Sequence, residues 1–235
     1  SYWTDAGIVA SSFAGGTGTE ADPYLITSAS ELGYLAYLVN NGEEGSSDET
    51  PKHYVLTNNI ILTEHEWVPI GAYEGRPFCG NFDGNGYLVS GMIITRAYEC
   101  IGLFGMVSRN WRETLLADIR VKNLSVDGEI TITGFDDMVV DFVDIGGIAG
   151  IAGYRLDNCH SNVSISILSF DNNNDITAFS IGGLTGAAGE AKNCSSIGSI
   201  YVVYLNNTGY RLPYVYIGGI SSSDWYIENC FSATD

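Results

Sequence analysis

Apolar and polar positions alternate through the C-terminal two-thirds of the chain in short runs: Ile165-Ser-Ile-Leu-Ser-Phe170, Ile200-Tyr-Val-Val-Tyr-Leu205 and Tyr214-Val-Tyr-Ile217. Such runs, rich in β-branched and aromatic residues and broken by Gly, Asn and Asp, predict short strands joined by turns. Helical repeats would need long stretches of 3.6-residue periodicity, which are missing here. The apolar positions also return in register. Ile130, Ile165 and Ile200 are 35 residues apart, followed two positions on by Ile132, Ile167 and Val202. Leu124, Cys159 and Cys194 share their parity, so one side of the strand path is apolar in every repeat. A second ladder runs through Val143, Phe179 and Val215, then Ile145, Ile181 and Ile217, with Asp144, Ser180 and Tyr216 between them expected to face outward.

A glycine signature marks the same pitch: Ile101-Gly-Leu-Phe-Gly105, Ile145-Gly-Gly-Ile-Ala-Gly150, Ile181-Gly-Gly-Leu-Thr-Gly186 and Ile217-Gly-Gly-Ile220. An Asn-Leu or Asn-Cys pair follows each one, at Asn123, Asn158, Asn193 and Asn229. Repeats of this length stack because no single unit buries its own apolar face. The expectation is an all-β, right-handed parallel β-helix of about five coils with a short N-terminal capping helix. Residues 1–235 would form one domain, with a cap and lead-in over 13–53 and coils over 54–235. Gly102, Gly105, Gly147, Gly150, Gly183 and Gly186 are assigned to sharp corners needing positive φ, or to places where neighbouring backbones approach closely. Cys159, Cys194 and Cys230 fill the slot held earlier by Leu124, which predicts free, inward-facing thiols, with the pairing of Cys79 and Cys100 left open.

Upstream of the repeats the pattern changes. Leu32, Leu35, Ala36, Leu38 and Val39 suit one face of a helix over 31–40, capped by Ser28 or Ser30 and covering the first coil. Tyr24–Thr27, Tyr54–Leu56 and Ile60–Leu62 read as strands, Asn41–Pro51 as a surface loop, and Asp83-Gly-Asn-Gly86 as a turn.

Charge narrows the function classes. Ten Lys plus Arg stand against 28 Asp plus Glu, a formal net charge of −18, which opposes nucleic acid and anionic lipid as partners. No 18-residue apolar stretch offers a transmembrane segment. The chain opens without a basic, apolar leader, so a secretion signal is expected to have been removed or to lie outside it. It stops just after an Asn-Cys strand, where a further repeat or a cap is expected.

Candidate chemistry is sparse. Asp136, Asp137, Asp141 and Asp144 are the carboxylates available for paired acid–base work, and Arg109, Arg155 and Arg211 the cations for holding an acidic sugar. His160 is read as an exposed turn residue. Asp136, Asp137, Asp171 and Asp175 recur near equivalent offsets and form a candidate calcium edge, with no other cofactor indicated. Tyr201, Tyr214, Tyr216 and Trp225 form a candidate ligand-binding surface of amphipathic rings.

The run Gly15-Gly-Thr-Gly-Thr-Glu-Ala-Asp-Pro-Tyr-Leu-Ile26, followed by Leu32–Asn40 and Tyr54–Leu62, resembles the start of bacterial cell-surface β-helices. With Trp67-Val-Pro-Ile-Gly71, Phe82-Asp-Gly-Asn-Gly86 and Val89-Ser-Gly-Met92, the chain resembles proteins carrying the GLUG motif, matched at Gly102–Gly105, Gly147–Gly150 and Gly183–Gly186. These include adhesin-like surface proteins and the noncatalytic β-helix region of immunoglobulin-A peptidases. The resemblance implies a secreted or cell-wall-displayed bacterial location, further domains in the same polypeptide, and no catalytic residue here. The peptidases' HExxH lies in another domain, and here His65-Glu66 is followed by Pro69 where a second His would be needed. The function expected is a noncatalytic module presenting a face to glycans or proteins on a host or neighbouring cell. The alternative is a polysaccharide lyase or glycoside hydrolase acting in a lateral groove.

Overall fold

The computed structural model describes residues 1–43, 51–73, 75–107, 120–135, 138, 140–170, 176–205 and 213–235, with the side chains of Arg120, Tyr154, Ser169, Phe170, Tyr204, Leu205, Asp224 and Trp225 left aside. The chain winds into a parallel β-solenoid. Its strands in chain order are β1 (Tyr24–Ile26), β2 (His53–Leu56), β3 (Ile60–Ile61), β4 (Asn81–Asp83), β5 (Leu88–Ile94), β6 (Cys100–Ile101) and β7 (Phe104–Val107). The repeats then supply β8 (Arg120–Ile132), β9 (Phe142–Gly146), β10 (Ala149–Phe170), β11 (Ala178–Gly182), β12 (Thr185–Lys192), β13 (Ser195–Ser196) and β14 (Ile200–Leu205). The last are β15 (Tyr214–Gly218), β16 (Ser221–Glu228) and β17 (Phe231–Ser232). A broad 13-stranded sheet follows the order β1-β2-β4-β8-β10-β12-β16, and a second sheet the order β15-β11-β9-β6.

Both inferred ladders exist. Ile130 pairs with Ile165 and Ile165 with Ile200, while Ile145, Ile181 and Ile217 stack across β9, β11 and β15. The interior members of these rungs, such as Leu124, Ile130, Cys159, Ile165 and Ile181, are fully or almost fully buried. The number of coils differs from expectation. The second sheet has four rungs, at Ile101, Ile145, Ile181 and Ile217, so about three turns close on every side rather than five. Among the described residues, the strands before Cys100 build only the broad sheet. Those leading strands are short, and the path between β1 and β2 runs through a helix.

That helix, α1 (Ala29–Asn40), starts at Ser28. The Ser28 side chain accepts from the Glu31 N–H and the Glu31 carboxylate accepts from the Ser28 N–H, a reciprocal capping box that decides between the two candidate serines. Leu32, Leu35, Ala36 and Val39 enter the same core as the coils. Trp3 packs there too and donates its indole N–H to the Leu62 carbonyl at 3.2 Å.

The corners are made differently from the sequence reading. None of the six repeat glycines has a positive φ. Among the described residues other than glycine, the left-handed positions are Asn85, Asn123, Asn158, Asn193 and Asn229, all with φ of 53–55°. Asn tolerates this region better than other residues with a Cβ because its short amide bonds locally. The amides also stack: Asn158 Nδ2 donates to Asn123 Oδ1 at 3.0 Å, and Asn229 Nδ2 to Asn193 Oδ1 at 3.4 Å. The repeat glycines serve close approach instead. A Cβ on Gly102 would lie 2.5 Å from the Gly146 carbonyl oxygen, nearer than packed atoms come. Across the core from these glycines runs a buried serine column. Ser161 lies against Gly147 and Ser196 against Gly183, and Ser161 Oγ has no hydrogen-bond partner among the described residues.

None of the five cysteines forms a disulfide, Cys79 and Cys100 included. Cys159 and Cys194 are buried in stacked rungs, the Cys159 N–H donating to Cys194 Sγ at 3.5 Å, and Cys230 is half-buried in the last rung. Burial pushes the Cys159 thiol well above the ordinary range, so it stays protonated at neutral pH.

Candidate functional site

Two outer surfaces hold the candidate chemistry. The first is the tyrosine surface. Tyr214 and Tyr216 are two residues apart on β15, so both rings leave the same side of the strand. They stand 6.3 Å apart with an interplanar angle of 22°, each about half exposed. Tyr201 is also exposed and belongs to β14 in the broad sheet, whereas Tyr214 and Tyr216 belong to the second sheet. The side chain of Trp225 lies outside the described residues, as do Asp136, Asp137, Asp171 and Asp175 of the calcium edge, and Arg109 and Arg211.

Two expectations on this side need correction. Asp144 was expected to face outward with Ser180 and Tyr216, yet it is buried. Its rung partner Cys100 is buried too and belongs to a small second apolar cluster with Met106 and Ile151. His160 is not a turn residue. It lies within β10, half-buried, with Nδ1 2.8 Å from Ser195 Oγ and Nε2 3.1 Å from Asn158 Oδ1. It ties one rung to the next.

The second surface was not foreseen. On the outer face of the broad sheet, pairing stacks Val55, Asp83, Lys122, Asp157, Lys192 and Glu228 in one column. Beside it, Arg155 stacks on Glu190 and Glu190 on Tyr226, with His53 on Asn81 at the N-terminal end. Opposite charges meet across the rungs. Lys122 Nζ is 3.6 Å from Asp83 Oδ2, Lys192 Nζ is 3.0 Å from Glu228 Oε2, and Arg155 Nε is 2.6 Å from Glu190 Oε2. The 35-residue offset between oppositely charged positions was visible, but which of them share a face depends on parity across bent strands.

At its N-terminal end this face becomes a groove of about 440 Å³, floored by His53, Val55, Asn81, Asp83, Lys122 and Arg155 and walled by Glu20 and Pro23. The wall is a folded turn: Thr17 and Gly18 donate their N–H groups to the Asp22 carbonyl at 3.0 and 2.9 Å. A further concavity of about 470 Å³ is lined by Tyr73, Arg96, Tyr98, Glu99, Phe135 and Met138, among others. Tyr98 is buried beneath it, and burial raises its phenol well above the usual range, the Arg96 charge 5.6 Å from its ring opposing. Among the described residues, no group of three or more His, Cys, Asp or Glu side chains is placed to hold a metal ion. Nor is any described helix long and apolar enough to cross a membrane.

No protein-family model matches the chain. The fold is found again in a solved structure. An immunoglobulin A1 protease of Bacteroides ovatus, so named provisionally, superposes with a TM-score of 0.50 over 95% of this chain and 69% of that one, at 14% identity. The likeness is one of β-solenoid architecture. Two curated proteins share sequence. A protein of Evansella cellulosilytica, provisionally called a Gly-rich membrane protein, is 35% identical over 135 residues, covering 54% of this chain and 14% of the relative. Halomucin of Haloquadratum walsbyi is 24% identical over 124 residues, covering 48% of this chain and 1% of its own length. The chain therefore matches only a small part of these curated relatives.

Proposed function

We propose that this chain is a noncatalytic extracellular β-solenoid module that presents a lateral binding face to glycans or proteins on a host or neighbouring-cell surface. The observation carrying this reading is the register. Every rung repeats the outward positions of the one before it, so the outer faces become long, rigid columns of chosen side chains. Rigid presentation lowers the ordering cost of binding a repetitive or extended partner. The likeness to a bacterial immunoglobulin A1 protease in fold, and to segments of much longer proteins in sequence, supports a modular, surface-displayed role. Tyr214 and Tyr216 supply the exposed aromatic pair on which a sugar ring or an apolar protein side chain would rest.

Hydrolysis of a glycosidic bond in the groove would need two carboxylates free to exchange protons. In the lateral groove, both oxygens of Asp83 are already engaged, by Lys122, the Asn85 N–H and the Asn123 amide. The noncatalytic reading is favoured for that reason. Two measurements test it together: binding to a glycan array and to intact cells, and release of reducing or unsaturated sugar ends from polysaccharides. Binding without release is the expected result, weakened by Tyr214→Ala with Tyr216→Ala. Sustained release of sugar ends would replace this reading with the enzymatic one.

A further inference from the structure

We infer that the groove walled by Glu20 and Pro23 is a binding site for a neutral, hydroxyl-rich glycan chain lying along the solenoid axis. This rests on the reading of the module as a glycan-binding one and names the site and the class of ligand. The groove is floored by residues of four successive strands of the broad sheet, β2, β4, β8 and β10, so an occupant must cross several rungs. Rungs repeat at about 4.8 Å, a spacing that lets an extended chain of sugar units meet a new rung, and a different side chain, at each step.

The hydrogen-bonding inventory sets what the ligand must bring. Asp83 is largely occupied, since Oδ1 accepts from the Asn85 N–H at 2.8 Å and from Asn123 Nδ2 at 3.1 Å, and Oδ2 faces the Lys122 charge. Arg155 gives only its Nε–H to Glu190, and its two terminal amino groups have no partner among the described residues. That contact orients the guanidinium plane, leaving a rigid fork of donors. Lys122 meets Asp83 at a long 3.6 Å with donors to spare, and the Asn81 amide and His53 ring stand beside it, all half-buried. Lys122, Arg155 and Asn81 keep donors for a ligand's oxygen lone pairs, and the Glu20 carboxylate at the wall can accept from a hydroxyl, a mixed demand that sugar hydroxyl and ring oxygens meet.

Charge decides against a polyanion. Glu20 and Asp83 balance Lys122 and Arg155 within the groove, and Glu190 adds a negative charge at its border. The chain as a whole carries −18, which repels a uronate or sulfate polymer at long range. Three of the ten cations, Lys122, Arg155 and Lys192, lie on this face and meet Asp83, Glu190 and Glu228 there, making it a locally balanced region on an acidic molecule. A ligand without charge loses nothing there.

The test is binding of the full chain to an array of neutral linear oligosaccharides (β-glucan, xylan and mannan series) and acidic ones (polygalacturonate, hyaluronan, heparin). Arg155→Met, Lys122→Met and Tyr214→Ala/Tyr216→Ala are compared, with circular dichroism and melting checked for each. The expected result is retention of at least one neutral series, weakened about tenfold or more by Arg155→Met. Arg155→Lys should not restore it, because the fork is lost, and affinity should change little between low and high salt. Binding abolished only by the tyrosine substitutions would overturn the groove while keeping the glycan-binding reading. Exclusive retention of acidic glycans with steep salt dependence would overturn the ligand class. No binding to any glycan would overturn both, and a protein partner would then be sought.

Discussion

At the scale of single residues, asparagine is the corner-maker. A left-handed backbone costs about 1–2 kcal/mol for an ordinary L-residue, and five Asn residues occupy it in stacked rungs. Asn158→Ala should destabilise the fold by roughly 1–2 kcal/mol, and Asn158→Gly by less, because Gly meets the φ requirement and forfeits only the amide ladder. Urea unfolding of the three proteins would show it; equal losses for Ala and Gly would mean that the ladder bond, not φ, sets the cost. Tyr98 gives a pH signature. Burial raises its folded-state pKa above the unfolded value of about 10, so the folded state holds its proton more tightly. Its contribution is therefore intact below about pH 10 and lost as pH rises beyond that, at up to about 1.4 kcal/mol per pH unit. Tyr98→Phe should flatten that alkaline decline in melting temperature. The Asn repeat was plain in the sequence, but its role was assigned to Gly, since a spacing of letters does not say which residue carries φ.

At the scale of elements, alternation identified the strands and their partners well. A stack of parallel strands leaves one register for each apolar ladder, and a slip by one residue would turn Ile130, Ile165 and Ile200 outward. The helix was also legible, because the capping box Ser28–Glu31 and the apolar face are both local signals. Bends were harder. β8 and β10 each pass through an Asn corner while remaining in one sheet, so outward parity before the corner does not carry simply past it. This is why the charged columns on the outer face escaped notice, and why His160 was placed in a turn. Asp144 shows the converse: alternation along β9 marks it as outward, yet it is buried, paired with the buried Cys100 of the neighbouring rung.

At the scale of the whole molecule, the solenoid is a line of neighbours, and its stability should follow position along the axis. Phe179 and Ile181 in β11 are covered on both sides, at 2% and 0% exposure, whereas their counterparts Val215 and Ile217 in β15 stand at 38% and 55%. Hydrogen exchange should therefore be slowest in β8 and β10 and progressively faster through β12 and β14 to β15–β17. Uniform protection along the axis would show that the coils open only as one unit.

The period, the strand parity, the core ladders and the helix α1 were decided by order along the chain, because each depends on spacing of two, four or about 35 residues, and the strongly acidic balance by composition alone. Tertiary structure alone decided how many turns close, which backbone approaches exclude a side chain, and which charges meet across the outer face. Those depend on distances between rungs, and residues far apart in the chain become neighbours only when the path has turned through its corners. The groove belongs to this second group: Glu20, His53, Asp83, Lys122 and Arg155 come from five separate stretches, and only the stacking of β2, β4, β8 and β10 beneath the Glu20 turn brings them together.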